Sequence, residues 1–302
     1  MQSNIKKQNW FARKFRSLFA KKTVGQIVIF SIAFILFALY SLSILYMISW
    51  SVAGSLKSVD SFINDPFSFP SLKELKFSNY VNAYQEFYYN DVALPGMLMN
   101  SLWYSVGGTF VTIACSTTMA YVVSKYKFPG RKLLYGVAIV VMTLPIMGTL
   151  PVSYKLIYSL HLNDSPLILL TFTSGFGMNF IILYGFFSNV SWSYAEAGLI
   201  DGAGDFKIFF NIMLPQALPA IVSLFIIAFI GVWNDYQGPY LYMQMMPTLS
   251  VAIFMSESQT KATGNYHWLF AALIMVMIPT LVLFVSFQEV IMTNTAVGGL
   301  KG

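Results

Sequence analysis

The chain has 302 residues, 57% of them hydrophobic and only 10% charged, with a net charge of +6 and a mean hydropathy of +0.64. A soluble domain carries about 25% charged residues, so this composition excludes a disordered chain and points to lipid in place of polar surface. One cysteine, Cys115, and two histidines, His161 and His267, exclude a disulfide scaffold, a multi-cysteine zinc site and a His-rich metal centre.

Residues 1–23 hold seven Lys and Arg and no acid. They read as a basic cytoplasmic segment under the positive-inside rule. Within it, Trp10, Phe11, Phe15, Leu18 and Phe19 alternate with basic residues over 10–20. That pattern fits either an amphipathic helix on the inner membrane surface or a basic tail that only sets topology. The uncharged run that follows is too long for a signal core and ends without a small-residue cleavage site, so it reads as a retained first helix.

Six uncharged runs are long enough to cross a bilayer: 23–56, 92–124, 133–154, 165–195, 208–234 and 262–288, the last with His267 neutral. A span needs about 20 apolar residues. These runs lack the alternation of a membrane barrel, so helices are expected. A seventh run, 236–256, contains Gln237, Gly238, Pro239, Gln244 and Pro247 and reads as an external loop with a short interfacial helix. With both ends inside, thirteen of the eighteen Lys and Arg fall on the inner side. That asymmetry explains the basic charge without nucleic acid. The expected architecture is an all-α membrane protein with a basic segment at 1–23, six transmembrane helices over 24–290 and a cytoplasmic tail at 291–302.

The runs hold almost no ionisable groups. A Lys, Arg or Asp at a helix centre costs roughly 2.5–3.5 kcal/mol on insertion scales, and its presence marks function. Only Asp235 and His267 come near, both close to outer ends, which argues against a proton-coupled carrier and a voltage sensor. No Gly-Lys pair occurs anywhere, so the chain has no P-loop, and neither H-E-x-x-H nor G-x-S-x-G is present. Energy for any work is therefore expected from a partner. Pro145, Gly148 and Pro151 punctuate the third run, and Pro279 the sixth. Thr171, Thr173, Ser174, Gly175, Gly177 and Asn179 line the fourth. The glycines suit close helix packing, while hydroxyl and amide groups such as Thr173 and Asn179 suit a polar pathway.

The segment between the fourth and fifth runs stands apart. Ser193-Tyr194-Ala195-Glu196 has capping-box spacing, so a short helix is expected after Ser193, with Gly202 as its stop. Asp205 is expected to cap a second helix that Pro215 ends or kinks. Such an element is too short to span and needs a docking partner or the lipid interface.

Glu196-Ala197-Gly198, three residues, Gly202, nine residues, then Ile212-Met213-Leu214-Pro215 resembles the EAA loop of binding-protein-dependent ABC importer permeases. Gly198 stands where that family usually has Ala. Over roughly 25–302 the chain is similar to the maltose-permease-type carbohydrate branch. The shared features are Asn100-Ser101, the basic segment 121–132, Leu144-Pro145, Leu150-Pro151, Trp233-Asn234-Asp235, and the ending Phe287-Gln288 with 297–302. The tail departs from the family at Glu289, Thr293 and Asn294.

The resemblance implies a subunit of the bacterial-type plasma (inner) membrane that imports a sugar or oligosaccharide by alternating access. It implies a second homologous permease, two ATP-binding subunits and an extracytoplasmic solute-binding protein as partners. It implies no catalysis and no cofactor in this chain, with ATP and Mg held by the ATPases. Glu196, Ala197, Gly198, Asp201, Gly202, Ile212, Leu214 and Pro215 would carry ATPase coupling. Glu196 serves there as a salt-bridge partner, as a capping residue, or as both. Trp233, Asn234, Asp235 and Tyr236 are substrate-path candidates, because sugars stack on rings and hydrogen-bond to Asn and Asp. Trp233 also reads as an interfacial anchor, the reading its type favours at a helix end. The aromatic-rich loop 51–92 suits either docking of the binding protein or local packing. The EAA loop is shared across importers, so a non-sugar solute is the second reading. An uncoupled channel subunit is the third.

Overall fold

The computed structural model describes residues 23–144, 148–263 and 266–297. The surface-helix expectation at 10–20, the last residues of the tail and Pro145 lie outside them. Among the described residues four helices are long and apolar enough to cross a membrane: Val24–Ser55, Leu94–Lys125, Asp205–Trp233 and Tyr266–Glu289.

The first of these, α1 (Val24–Ser55), leads into α2 (Val59–Asn64) and α3 (Ser78–Glu86). A two-stranded hairpin, Tyr88–Tyr89 with Val92–Ala93, turns through Asn90 and Asp91 at positive φ and opens α4 (Leu94–Lys125). The 51–92 loop folds on a buried lysine. Lys57 is 1% exposed, and its ammonium donates to the Asp65 carbonyl (2.6 Å) and Ser68 Oγ (3.0 Å). Those acceptors replace water around the charge.

The third and fourth runs are not single helices. The third divides into α5 (Arg131–Thr143) and α6 (Thr149–Ser159), with Gly148 in the left-handed region at φ +81° before α6. The fourth begins as a 3-10 helix, Pro166–Phe172, and becomes α7 (Met178–Asn189) only after an extended Gly177. Gly148 and Gly177 stand at these breaks, which hydropathy alone cannot register.

Beyond α7 come the short α8 (Ser193–Ile200) and α9 (Asp205–Ile208). A π-helical turn at Phe209–Met213 then runs straight into α10 (Leu214–Trp233). Pro215 therefore neither ends nor caps off this helix. A proline lacks an N–H and crowds the carbonyl four residues back, and the wider π turn ahead of Pro215 accommodates both. Gln216 Nε2 donates to the Ile212 carbonyl at 2.9 Å. The 236–256 run holds α11 (Gln237–Tyr242) and the start of α12 (Leu249–Thr263), neither of spanning length. The last helix, α13 (Tyr266–Val297), passes the expected tail boundary at 291 without a break.

α4 is the hub. It packs on α7, α10 and the 3-10 helix, α10 packs on α13, and α13 carries α1 and α3. The main core lies between α4, α7 and the α8–α10 segment, around Tyr121, Phe180, Leu183, Phe187, Ile208 and Met213. Long-range contacts sort the helix ends into two groups. At one end, Lys125 Nζ donates to the Val190 carbonyl and Tyr126 OH to Asp205 Oδ1 (2.8 Å), so the end of α4, the end of α7 and the α8–α9 segment meet. At the other, Asn100 Nδ2 donates to the Pro247 carbonyl (3.1 Å) and Leu249 N to Ser101 Oγ (2.8 Å). There Asp164 Oδ1 also accepts from Met245 N (2.7 Å), and Phe62 stacks on Tyr266 at 5.4 Å.

Candidate coupling site and outer polar site

α8 begins after Trp192, not after a serine cap. Ser193 lies inside the helix, and its backbone N–H donates to Ser191 Oγ at 3.3 Å. The expected capping box is thus absent: the serine two residues earlier receives the bond, and Glu196 is left exposed in the first turn. The stop at Gly202 is as the sequence indicates. Ala203 N donates to the Gly198 carbonyl (2.9 Å) and Gly202 N to the Leu199 carbonyl (3.0 Å), the paired bonds of a Schellman motif. Gly202 sits at φ +75°, and nothing lies within 4 Å of where its Cβ would be. Its backbone conformation, and not crowding within the chain, requires glycine there. Asp205 does not cap α9, whose N-cap is Gly204; the Asp205 carboxylate is taken by Tyr126.

The two halves of the signature touch each other. Ala195 and Gly198 form the buried face of α8. A Cβ on Gly198 would come within 2.8 Å of Ile212 Cδ1 and 3.3 Å of Ile208 Cγ1. Gly198 therefore serves close packing within this chain. Ile212 and Leu214 are half-buried on the π turn and the start of α10, and Pro215 is exposed. The opposite face of α8 carries Glu196, Ala197 and Asp201, all exposed. Beside them project Tyr194, Leu199, Ile200 and Phe206, with Ile200 at 86% and Phe206 at 82% exposure. The sequence reading missed Phe206, because a single aromatic in a four-residue helix has no periodicity to mark it.

At the other end, Trp233 is turned into the core. It is 2% exposed, stacks on Phe229 at 5.6 Å, and donates Nε1–H to the Val276 carbonyl at 3.3 Å. Neither an anchor at the lipid surface nor a lining residue matches that position. Asn234 is exposed and bonds back to the Ile230 carbonyl (2.8 Å). Asp235 organises the turn after α10: Oδ1 accepts from Gln237 N (3.0 Å) and Gly238 N (3.2 Å), and Oδ2 from Tyr104 OH (3.4 Å). Tyr236 stacks on Phe254 with ring centres 4.2 Å apart. Tyr104, which carries no sequence signal of its own, meets Phe172 edge-on at 5.3 Å, and Thr173 follows, exposed, with its hydroxyl on the Leu170 carbonyl (2.8 Å). Asn179, half-buried in the first turn of α7, takes no part in the Asp235 hydrogen bonds. Nearby, Tyr89, Asn90, Tyr240 and Gln244 line a cavity of about 210 Å³. Among the described residues no three His, Cys, Asp or Glu side chains converge as metal ligands would.

Residues 89–295 match the family described as the binding-protein-dependent transport system inner membrane component. The chain belongs to that family. It is 30% identical over 278 residues to the diacetylchitobiose uptake system permease protein NgcG of Streptomyces coelicolor, covering 90% of this chain and 89% of the relative. It is 26% identical to the arabinooligosaccharides transport system permease protein AraQ of Bacillus subtilis, over 92% of this chain and 98% of that one. With the trehalose transport system permease protein SugB of Mycobacterium tuberculosis it shares 27% identity, over 84% and 91% of the two chains. The fold matches a chain in the crystal structure of a bacterial ABC transporter involved in the import of the acidic polysaccharide alginate. The TM-score is 0.71 at 20% identity, over 89% of this chain and 98% of the other. As a member of the family, the chain is a multi-pass inner-membrane permease subunit.

Proposed function

We propose that this permease is one half of the membrane domain of an ATP-driven importer for a sugar or oligosaccharide. The other half is a second, homologous permease. Two ATPase subunits bind ATP and Mg and receive α8 as the coupling helix, and an extracytoplasmic binding protein delivers the solute. The observation that carries this reading is the outward face of α8. Glu196, Ala197, Asp201 and the apolar knob of Ile200 and Phe206 sit exposed around a Schellman-closed turn. Exposed apolar side chains beside an acid suit a protein groove with a basic rim better than they suit water.

The two groups of helix ends support six crossings, with the start of α1 and the end of α13 on the α8 side. The α5–α6 pair leaves the α8 end and reaches Asp164 at the opposite end, and the 3-10 helix with α7 returns. The sugar assignment draws on the relatives that take diacetylchitobiose, arabinooligosaccharides and trehalose. The ring, amide and hydroxyl groups around Asp235 and Tyr240 suit such a solute. ATP binding would close the ATPase pair, move both coupling helices and switch the permease halves between inward-open and outward-open states.

Co-purification tests the assembly. An N-terminally tagged chain, extracted gently from native membranes, should bring down a second permease and an ATPase, identified by mass spectrometry. A chain that emerges alone, or as a homomer without ATPase, would overturn the reading.

A further inference from the structure

We infer that Tyr126, supported by Lys125, braces the coupling segment against the inner end of α4 and passes its displacement into the hub of the bundle. This role rests on the coupling function proposed for α8. α8 itself packs mainly on α9 and the π turn, its own neighbours in sequence. A push on α8 that travelled only along the chain would reach α7 and α10, its neighbours in sequence, and not α4.

The end of α4 supplies a lateral route, because it grips the chain on both sides of α8. Before the helix, Lys125 Nζ donates to the Val190 carbonyl, and the Tyr126 ring meets Trp192 edge-on with centres 5.9 Å apart. After the helix, Tyr126 OH donates to Asp205 Oδ1 at 2.8 Å. Tyr121, one turn earlier, touches Tyr126 (5.7 Å), Phe187 (5.5 Å) and Phe209 (4.8 Å). Arg131 Nη2 closes the loop by donating to the Ser124 carbonyl (3.0 Å). One side chain, Tyr126, thus contacts the entry and the exit of the coupling helix. α4 continues from there to α7, α10 and the outer-end contacts of Ser101 and Asn100. Burial, then the adjacent Tyr121 hydroxyl and the Asp205 carboxylate, push the Tyr126 phenol far above its ordinary range. The donor therefore persists throughout the pH range in which a transporter works.

Tyr126→Phe removes the hydroxyl and keeps the ring, so it tests the bond to Asp205 with little cost to packing. The complete importer, with Cys115→Ser and a reporter Met245→Cys at the exposed outer end, is compared with the same complex carrying Tyr126→Phe, Asp205→Ala or both. Three readouts are taken: ATPase subunits retained, basal ATP hydrolysis, and the change in maleimide labelling of the reporter on trapping with ATP and vanadate. The expected result is retained ATPase and hydrolysis with the trapping-dependent change cut about fivefold. The double variant should be no worse than either single one, the mark of a shared interaction. A full labelling change in Tyr126→Phe, or additive effects, would overturn the brace. Loss of ATPase subunits from Tyr126→Phe would overturn it too, by making the contact one of assembly. A parent complex without ATPase, or without any ATP-dependent change, would refute the importer reading itself.

Discussion

Gly198 and Gly202 lie four residues apart in one motif and are glycine for different reasons. At Gly202 the constraint is the backbone, with φ at +75° and open space around the missing Cβ. Any L residue with a Cβ pays about 1–2 kcal/mol for that conformation, and Asn least. At Gly198 the constraint is space, and the nearest obstacle is the terminal methyl of Ile212 at 2.8 Å. Paired substitutions should separate the two. Gly202→Asn should keep most of the ATPase retained in the purified complex, and Gly202→Val should lose it. Gly198→Ala should be tolerated as Ile212 shifts, whereas Gly198→Leu should fail. Equal tolerance of Asn and Val at 202 would show that backbone strain does not govern the turn. The stop at Gly202 was legible in the sequence, because a helix end is a local event with a local signature. The inward role of Gly198 was not, since it depends on a residue fourteen positions later folding back through the π turn. Trp233 was illegible for a related reason: a tryptophan at a helix end looks the same whether it faces lipid or bonds to Val276 on another helix.

The elements were legible where one apolar run made one helix. The run 92–124 became α4 and the run 23–56 became α1, with ends shifted by a residue or two. Elsewhere hydropathy reported lipid and was blind to the backbone, so the divided α5–α6 pair and the 3-10 entry to α7 were each read as one span, although Gly148 and Gly177 were already marked within them. Pro215 is the instructive case. It was expected to end or bend a helix; the helix does not end there, but takes a π turn at Phe209–Met213 and carries on. A π turn holds one residue more than an α turn, so removing it would rotate everything on one side by about 100° relative to the other. The side at risk is α8, whose exposed face must keep its direction relative to α10. Pro215→Ala should therefore let the helix regularise and misdirect Glu196 and Ile200. The expected outcome is normal expression of the permease, with hydrolysis no longer stimulated by the loaded binding protein. Stimulation at the parental level would mean that the π turn does not depend on the proline.

At the scale of the molecule, the distribution of apolar surface sets what must surround the chain. None of the most apolar window of α1 is buried within the protein, against 44% for α4 and 33% for the Asp205–Trp233 helix. α1 touches the rest mainly through α13 and through Trp50, which meets Phe270 edge-on at 5.1 Å. The hub helices carry the fold, and α1 lies outside it as a lipid- or subunit-facing rib. Charge is the ground on which we propose that the α8 end faces the cytoplasm: Lys125, Lys127, Arg131 and Lys132 gather beside α8, while the opposite end carries Asp60, Asp65, Glu74 and Asp91 with fewer basic residues. That assignment has a direct test on the intact cell. In a Cys115→Ser background, Asp201→Cys beside α8 should react with a membrane-impermeant maleimide only after permeabilisation. Lys73→Cys in the α2–α3 connection, and Met245→Cys between α11 and α12, should react in intact cells at the same rate before and after. Because α4, the α5–α6 pair, the 3-10–α7 pair and α10 join Lys73 to Met245 through the α8 end, this pattern requires an even number of crossings between those two sites. Labelling of 201 in intact cells would place the signature outside, where no ATPase can reach it. Opposite reactivity of 73 and 245 would mean that one of the divided helices, α5–α6 or the 3-10–α7 pair, turns back within the membrane instead of crossing it.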